Sequence, residues 1–282
     1  MIEGEGALLD AAASPDAWDP VQYGRFAEER AQPFWDLVAL IRPPPSRYGF
    51  GRCADLGCGS GELTAAVTEH FDIDEMVGID SSDAMLAEAR ARPAAEDHRL
   101  RFAKGDIGRW TSRADHDLVV ANASMQWLPD HPAVLERWWA ALVPGGQLAV
   151  QVPANSDHKS HRVADQVATA EPFLSAFGCA PPPDPVAQNV LAPEQYAVVL
   201  DALGAEHQHV RLQVYPHRLK SSAEVVEWVK GTSLTRFTKL LDAELAEQFV
   251  AAYRERLLEA IGDTSPYFYP FKRILLWGRK AP

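Results

Sequence analysis

One ten-residue stretch constrains the fold of this chain more than any other. Residues 53–62 read CADLGCGSGE, a short apolar strand followed by glycines at alternating positions, namely Gly57, Gly59 and Gly61. A helix-forming segment, LTAAVTEHF, begins directly after them. Glycine lacks Cβ, so this run allows a sharp turn and a close approach of a ligand to the backbone. A tight strand-to-helix turn alone could also explain it. Asp55 falls at the carboxyl end of the strand, where open α/β sheets bind ligands.

Further strand-like segments follow, and each ends in polar side chains. MVGID (76–80) ends in an acid about 20 residues after the glycines, the spacing at which an acid accepts ribose hydroxyls in nucleotide-binding α/β units. The segments at 100–110 and 117–128 contain two more strands, the second ending at Asn122, and 141–153 reads as a helix end, a Pro-Gly-Gly turn and a fifth strand. The polar groups and neighbours that these segments place near a ligand are Asp80, Ser81, Met85, Asp106, Ile107, Asn122 and Ala123. Each acid alone could be a helix cap or a solvated turn, whereas all of them in register favour a binding site.

After residue 153 the strand–helix alternation lapses. Helical patterns cover 157–177, 193–204, 221–230 and 242–261, a proline-rich loop covers 180–189, and strands are predicted at 209–219 and 272–280. We therefore expect four regions: a flexible leader (1–17), an N-terminal helix with a ligand-binding core (18–153), a mostly helical cap with an inserted strand (154–265) and the final sheet strand (266–282). Caps of this kind close over a small substrate and exclude water.

Composition narrows the class of partner. Of the 282 residues, 47% are hydrophobic, enough for a substantial core, and the formal net charge is -12, which repels nucleic acid and anionic membranes. The three cysteines form no C-x-x-C pair, and no apolar run approaches the length of a membrane span. No H-E-x-x-H or Cys/His cluster indicates a metal. We expect a cytoplasmic chain, monomeric or homodimeric, that acts on a small molecule without a metal, nucleic acid or membrane.

The D-x-G-x-G-x-G run resembles the first motif of class I methyltransferases, which bind S-adenosyl-L-methionine. Six segments make the chain similar to the trans-aconitate 2-methyltransferase family from Trp18 to nearly its carboxyl end. They are WDPVQYGRFAEERAQPF, DLGCGSGELT, GIDSSDAMLAEAR, ANASMQWLPDH, LAVQVPAN and EWVKGTSLTRF. The resemblance implies an α/β, Rossmann-like class I methyltransferase fold: a mostly parallel seven-stranded sheet with helices on both faces and a helical cap. It also implies methyl transfer to a carboxylate oxygen, giving a methyl ester.

The resemblance assigns roles to the cofactor residues. In the family the N-terminal helix folds over the cofactor, and by position Tyr23, Phe26 and Arg30 match it; Arg30 could pair the methionine carboxylate or be a solvated charge. Asp80 would accept the ribose hydroxyls and Asp106 the adenine amine. The full expected cofactor set is Tyr23, Phe26, Arg30, Asp55, Gly57, Cys58, Gly59, Gly61, Asp80, Ser81, Met85, Asp106, Ile107, Asn122 and Ala123.

An ionised carboxylate needs no general base, but its desolvation demands a basic partner. The substrate-site candidates are Gln126, Trp127, His158, His161, Arg236 and Arg273, with Lys272 beside the last. The two arginines are favoured because a guanidinium binds a carboxylate through two hydrogen bonds, although each could be a surface charge. Gln126 and Trp127 are expected to line the pocket. The aromatics of TSPYFYPFK (264–272) suit an acid with an apolar body at least as well as a tricarboxylate.

Three alternatives remain open at this stage. A small-molecule methyltransferase acting on carbon, nitrogen or a hydroxyl would keep the same cofactor half and use His158 or His161 as a base. A nucleic-acid amine methyltransferase fits less well, since 122–125 read NASM rather than Asn/Asp-Pro-Pro-aromatic. A non-catalytic binding protein on the same fold is the third, because fold does not imply function.

Overall fold

The computed structural model describes residues 27–43 and 49–282, with side chains from residue 31 onward. The expected leader, Tyr23 and Phe26 lie outside the described residues, and of Arg30 only the backbone is described. Helix α1 (Ala27–Val38) is the N-terminal helix expected at the start of the region 18–153. It buries Phe34 and Leu37 against the sheet.

The first half alternates strands and helices as predicted. Its elements are β1 (Arg52–Leu56), α2 (Glu62–His70), β2 (Glu75–Asp80), α3 (Asp83–Ala91), β3 (Leu100–Lys104), β4 (His116–Asn122), α4 (His131–Ala140) and β5 (Leu142–Pro153). Short 3₁₀ turns cover Pro93–Glu96 and Met125–Trp127. These five strands run parallel to one another, and their buried runs of Val, Leu and Ala are typical of strands covered on both faces.

The second half supplies most of the helices and two long strands. They are α5 (Lys159–Ala168), α6 (Phe173–Ala176), α7 (Pro185–Asn189), α8 (Pro193–Ala202), β6 (Ala205–Leu219), α9 (Ala223–Lys230), α10 (Thr235–Thr238), α11 (Ala243–Ile261) and β7 (Tyr267–Lys280). The sheet order is β3-β2-β1-β4-β5-β7-β6, with β7 antiparallel to both of its neighbours. The predicted seven-stranded, mostly parallel fold is confirmed.

Two boundaries differ from the sequence prediction. The strand expected inside the cap is β6, which begins at Ala205 and forms an edge of the central sheet. Strand β7 begins at Tyr267 rather than at residue 272, because its aromatic residues pair with β6 through Leu219↔Tyr267 and Tyr215↔Phe271. This pairing is non-local, so the local pattern alone did not reveal it.

The register places several strand ends at one edge of the sheet, here called the carboxyl edge. Asn122 of β4 lies beside Gln151 of β5, and Pro153 lies beside Arg273 of β7. Because β7 is antiparallel, its beginning lies where β1, β4 and β5 end. The carboxyl edge therefore receives residues from both halves of the chain.

Three clusters of apolar side chains form the core. One face of the sheet packs against α1 and α2 around Phe34, Val67 and Trp277. The other face packs against α4 and α8 around Trp138 and Tyr196. The third cluster joins α5, α9, α10 and α11 to the ends of β6 and β7. Within the part of the chain that the structure describes, no helix is both long and apolar enough to cross a membrane.

Candidate active site

The glycine loop after β1 has the geometry that the sequence indicated. Gly57, Gly59 and Gly61 all have positive φ, and the Gly57 and Cys58 amides donate to the Ile79 carbonyl. A Cβ on Gly57 would lie 2.2 Å from the Ser124 Cβ, whereas one on Gly59 would meet nothing within 4 Å. Glycine is thus required at Gly57 by close packing, and the space beside Gly59 is open to a ligand. Burial raises the pKa of the Cys58 thiol, which therefore stays protonated at neutral pH.

Asp80 joins this loop to the end of β2. One carboxylate oxygen accepts the Gly59 amide at 2.9 Å and the other accepts the Ser82 amide at 2.9 Å. A carboxylate has about four acceptor positions, so Asp80 retains capacity for two hydroxyl donors. Ser82 caps α3 by accepting the Met85 amide, while Ser81 is exposed.

Asp55 lies beneath the loop rather than on it. Its carboxylate is buried and accepts the Thr64 hydroxyl at 2.6 Å. Burial raises the pKa of Asp55 to about 6, the Thr64 hydrogen bond opposes that rise, and the negative charge of Asp80 adds to it. A cationic ligand above the loop would favour the ionised form.

The ends of β3 and β4 supply the remaining cofactor candidates. The Asp106 side chain is 57% exposed and accepts the Gly108 amide, and Ile107 is fixed by its carbonyl, which accepts the Trp138 indole N–H. Ala123 has φ of +52°, a strained conformation for a residue with a Cβ. The buried Oδ1 of Asn122 has no hydrogen-bond partner among the described residues. A nucleoside ligand that also carries donor groups fits this arrangement. It could use the open space beside Gly59, the remaining acceptor positions of Asp80, and the Asn122 Oδ1, which no described residue pairs.

A polar cluster lies at the carboxyl edge where β5, β6 and β7 meet. The Arg273 side chain is buried, its Nη1 donates to the Gln151 Oε1 at 3.2 Å, and its Cζ lies 4.9 Å from the Phe271 ring centre. His217 packs with its ring 4.9 Å from that of Trp228. Burial, and then the positive charge of Arg273, lower the pKa of His217 to about 4. His217 is therefore a neutral imidazole at pH 7.

Helix α1 approaches this cluster on the same face of the sheet. The Tyr215 hydroxyl donates to the Asp36 Oδ2 at 2.8 Å, and burial together with Asp36 raises the pKa of Tyr215 above its ordinary value. Residues Tyr215, His217, Phe271 and Arg273 share one face because Tyr215 pairs with Phe271 in the register. The cluster is thus enclosed by the sheet, the cap and α1.

Arg236 lies in a separate cluster within the cap. It forms an ion pair with Asp165, donates to the Pro182 carbonyl at 2.8 Å and lies over the Phe237 ring. His161 contacts Asp184 at 3.1 Å in the same neighbourhood, and the charges of His161 and Arg236 help to lower the pKa of Asp184 against its burial. These contacts fasten the proline-rich loop to α5 and α10. The predicted role of Arg236 and His161 toward a substrate stays a prediction.

His158 is the N-cap of α5, since its Nδ1 accepts the Ser160 amide at 3.1 Å. Burial, then the neighbouring His161, lower the pKa of His158 to about 4. It lines a cavity of about 510 Å³ that also includes Lys272, whose ammonium is paired with Asp157. Lys272 and Arg273 thus point to opposite faces of β7, and the expected basic pair is split between two environments.

The turn after β4 carries Gln126 and Trp127. The Gln126 amide donates to the Ala123 carbonyl at 2.7 Å, and its buried Oε1 has no partner in the described part of the chain. His131 supports the turn, because its Nε2 lies 2.9 Å from the Met125 carbonyl and its Nδ1 lies 2.6 Å from the Tyr196 hydroxyl. The structure therefore holds this turn rigidly at the carboxyl edge, beside Asn122 and Ala123.

The aromatic residues of 264–272 belong to the cap core. Tyr269 and Phe271 are buried and pack against Trp228, Tyr267 is half-buried, and Phe268 is 53% exposed on the other face. Packing accounts for Tyr269 and Phe271, whereas Tyr267 lines the cavity of about 510 Å³, and the expectation that these rings suit an acid with an apolar body stays a prediction. Sequence reasoning missed Gln151 and His217; a glutamine inside the apolar run LAVQVP was a signal that could have revealed the first.

Comparisons with known proteins agree with this geometry. A family of methyltransferase domains matches residues 53–146. A trans-aconitate 2-methyltransferase of Deinococcus radiodurans is 42% identical over 92% of this chain and 96% of its own length. That of Streptomyces avermitilis is 40% identical over 95% and 98%. Among solved structures, the YcgJ protein of Bacillus subtilis has a TM-score of 0.56 at 14% identity, covering 88% of this chain and 99% of its own. A Haemonchus contortus phosphoethanolamine N-methyltransferase complex with S-adenosylhomocysteine has a TM-score of 0.53 at 18% identity, covering 88% and 53%.

Proposed function

This chain belongs to the trans-aconitate 2-methyltransferase family, and from that premise we propose that it methylates one carboxylate of trans-aconitate. It is a methyltransferase that uses S-adenosylmethionine. The products would be a methyl ester and S-adenosylhomocysteine.

S-Adenosylmethionine supplies, when bound, an electrophilic methyl group on a sulfonium sulfur. Asp80 has acceptor capacity for its ribose hydroxyls, and the open space beside Gly59 allows close approach to the backbone. Asp106 and Ile107 would contact the adenine, and the Asn122 Oδ1, which none of the described residues pairs, suits an ammonium donor. Asp55 and Asp80 give this part of the site a negative charge that favours a cationic ligand.

The acceptor chemistry asks little of the protein. With a pKa near 4, a carboxyl group is ionised at neutral pH and carries its nucleophilic electron pair already. Its oxygen forms a bond to the methyl carbon as the carbon–sulfur bond breaks, and no proton moves. The protein has to align these atoms and hold the anion, which is catalysis by proximity and orientation. His158 accepts a backbone amide as a helix cap, and this role is consistent with a reaction that needs no base.

The observation that carries the proposal is the buried guanidinium of Arg273 at the carboxyl edge. A guanidinium carries five N–H donors in a planar fork that matches a carboxylate, so Arg273 can bind an anionic substrate while it keeps its contact with Gln151. Arg273 of β7 lies opposite Pro153 of β5, two residues along that strand from Gln151. Gln151 in turn lies opposite Asn122 of β4. A carboxylate held by Arg273 would thus lie near the residues proposed to bind the cofactor.

Transfer of a labelled methyl group to a panel of acids tests the proposal. We expect trans-aconitate to be methylated with a kcat/KM well above that of benzoate, a medium-chain fatty acid or catechol. Arg273→Gln should lower that kcat/KM by about 30-fold or more, because a desolvated carboxylate loses its partner. Efficient methylation of a hydroxyl, amine or carbon acceptor, abolished by His158→Ala or His161→Ala, would replace the carboxylate reaction with base-assisted methylation.

Location and assembly belong to the same proposal. Cys53, Cys58 and Cys179 are all free thiols, which suits a reducing, cytoplasmic compartment. We expect a monomer or a homodimer, and sedimentation of the purified chain distinguishes the two.

A further inference from the structure

We propose that Gln151 and His217, together with Arg273, bind a carboxylate of the substrate that does not accept the methyl group. The inference rests on the proposed function and adds to it the residues that recognise a polycarboxylate. The substrate-site residues predicted from the sequence include neither Gln151 nor His217.

The orientation of the Gln151 amide is fixed by its neighbour. A guanidinium only donates hydrogen bonds, so the amide atom 3.2 Å from the Arg273 Nη1 has to be the oxygen. The amide nitrogen then points away from Arg273, and it is buried without a hydrogen-bond partner in the part of the chain that the structure describes. Gln151 itself is 0% exposed. Burying a donor without an acceptor is destabilising, so an acceptor supplied from outside the described chain is the expected partner.

His217 provides a second buried polar atom that no described residue hydrogen-bonds. Its Nε2 is buried and, in the described residues, has no hydrogen-bond partner. The ring is confined between Tyr215, at 6.3 Å with an interplanar angle of 13°, and Trp228, at 4.9 Å. Packing therefore holds the imidazole in place without satisfying its nitrogen, as a preorganised binding group requires.

The charges and donors select an anion. The cluster contains one guanidinium, one amide NH₂ group and one neutral imidazole, and the Asp36 carboxylate on this face already accepts the Tyr215 hydroxyl. A planar anion with several acceptor lone pairs fits such a set, and a carboxylate is the anion that the substrate class supplies. A phosphate would also be bound by these donors, but it has no place in carboxyl methylation.

The same contacts argue against this carboxylate being the nucleophile. Oxygens that accept hydrogen bonds from a guanidinium, an amide and an imidazole have their lone pairs engaged and their charge dispersed. The reacting carboxylate has to keep one lone pair free and directed at the methyl carbon. Gln151 lies beside Asn122 in the register, so a second carboxylate of the same small molecule could reach the cofactor side. The cluster thus selects acids with at least two carboxylates.

The experiment crosses enzyme variants with substrates. Gln151→Glu keeps the size of the side chain and an oxygen for Arg273 but removes the amide donor, and His217→Asn is the second variant. Arg279→Gln is the matched control, because Arg279 lies on the same strand β7 and pairs with Glu206 at the surface. Each protein is assayed with trans-aconitate and with the three dicarboxylates in which hydrogen replaces one of its carboxylates. Titration with S-adenosylhomocysteine reports folding and the cofactor site.

For trans-aconitate we expect Gln151→Glu and His217→Asn to lower kcat/KM about 30-fold or more, mainly through KM, with S-adenosylhomocysteine affinity within about twofold of wild type. For at least one dicarboxylate the same variants should lose less than about threefold, because the carboxylate that they bind is missing. Arg279→Gln should match wild type throughout.

Equal losses on all four acids, or no loss on trans-aconitate, would overturn the inference and leave carboxyl methylation standing. Failure of the wild-type enzyme to methylate any of the four would overturn the proposed function and the inference with it. A variant that no longer binds S-adenosylhomocysteine has a disturbed fold or cofactor site. The comparison of the four acids then rests on the other variant.

Discussion

Replacing Asp55 by asparagine should stabilise the free protein while weakening its hold on the cofactor. Asp55 is a buried acid whose pKa rises from 3.8 to about 6, mainly because burial disfavours the charged form. A rise of that size corresponds to about 3 kcal/mol at roughly 1.4 kcal/mol per pKa unit. The oxygen of the substituted amide could still accept the Thr64 hydroxyl, but the new NH₂ group needs an acceptor. An unpaired buried donor costs about 1–3 kcal/mol, so we expect a net gain of up to about 2 kcal/mol at neutral pH.

The stability difference between Asp55→Asn and wild type should depend on pH. An acid with a raised pKa in the folded state binds its proton more tightly there than in the unfolded chain. Its contribution to stability is present below about pH 3.8 and is lost as the pH rises through about 6. Asp55→Asn lacks this loss, so the gain over wild type should grow between pH 4 and pH 6.5 and level off above pH 7.

Thermal unfolding of ligand-free protein at several pH values measures the effect. A gain of up to about 2 kcal/mol corresponds to at most roughly 8 °C in Tm for a chain of this size. The exposed Asp83→Asn is the matched control and should change stability by less than about 0.5 kcal/mol. A destabilised Asp55→Asn at pH 7.5, or a difference from wild type that does not vary with pH, would refute the reasoning. Calorimetry with S-adenosylmethionine should show weaker binding, since the buried charge that attracts the sulfonium is gone.

Other predictions concern the cofactor, the cap and metals. Asp80→Ala removes the acceptor of two backbone amides and of the proposed ribose contact, so S-adenosylhomocysteine affinity should fall about tenfold or more by calorimetry; unchanged affinity would remove Asp80 from the cofactor site. Arg236→Gln should lower Tm and speed proteolysis within 177–192, because the Pro182 and Asp165 contacts are lost, and should leave S-adenosylhomocysteine affinity unchanged; loss of that affinity would contradict this role. Activity should survive exhaustive treatment with a chelator, because carboxylate methylation needs no Lewis acid, and loss that magnesium or zinc reverses would count against the mechanism.

The cofactor half of the fold could be predicted because its signals are local. The glycine run and the strand-end acids each lie within a few residues of the strands that they follow or end, and the structure places them as the sequence indicated. Which of these residues contact the cofactor remains a prediction.

The side-chain contacts of the substrate half could not be predicted in the same way, because they join segments that are distant in the sequence. Arg236 meets Asp165, which lies 71 residues away, and Arg273 meets Gln151 at a separation of 122 residues. Lys272 and Arg273 look like one basic pair in the sequence, but successive strand residues point to opposite faces. Only the antiparallel pairing of β7 with β5 shows that the face of Arg273 is the one enclosed by α1 and the cap.

Identification of the methylated product from trans-aconitate tests the central claim most directly. The enzyme is incubated with trans-aconitate and S-adenosylmethionine carrying a labelled methyl group. The mass of the purified product is measured by mass spectrometry, and the product is then treated with mild alkali. We expect a product heavier by one methyl group in place of a hydrogen, and release of all the label as methanol, because an ester hydrolyses under these conditions. A labelled product that resists alkali would show that the methyl group sits on carbon, nitrogen or an ether oxygen, and would contradict carboxylate methylation.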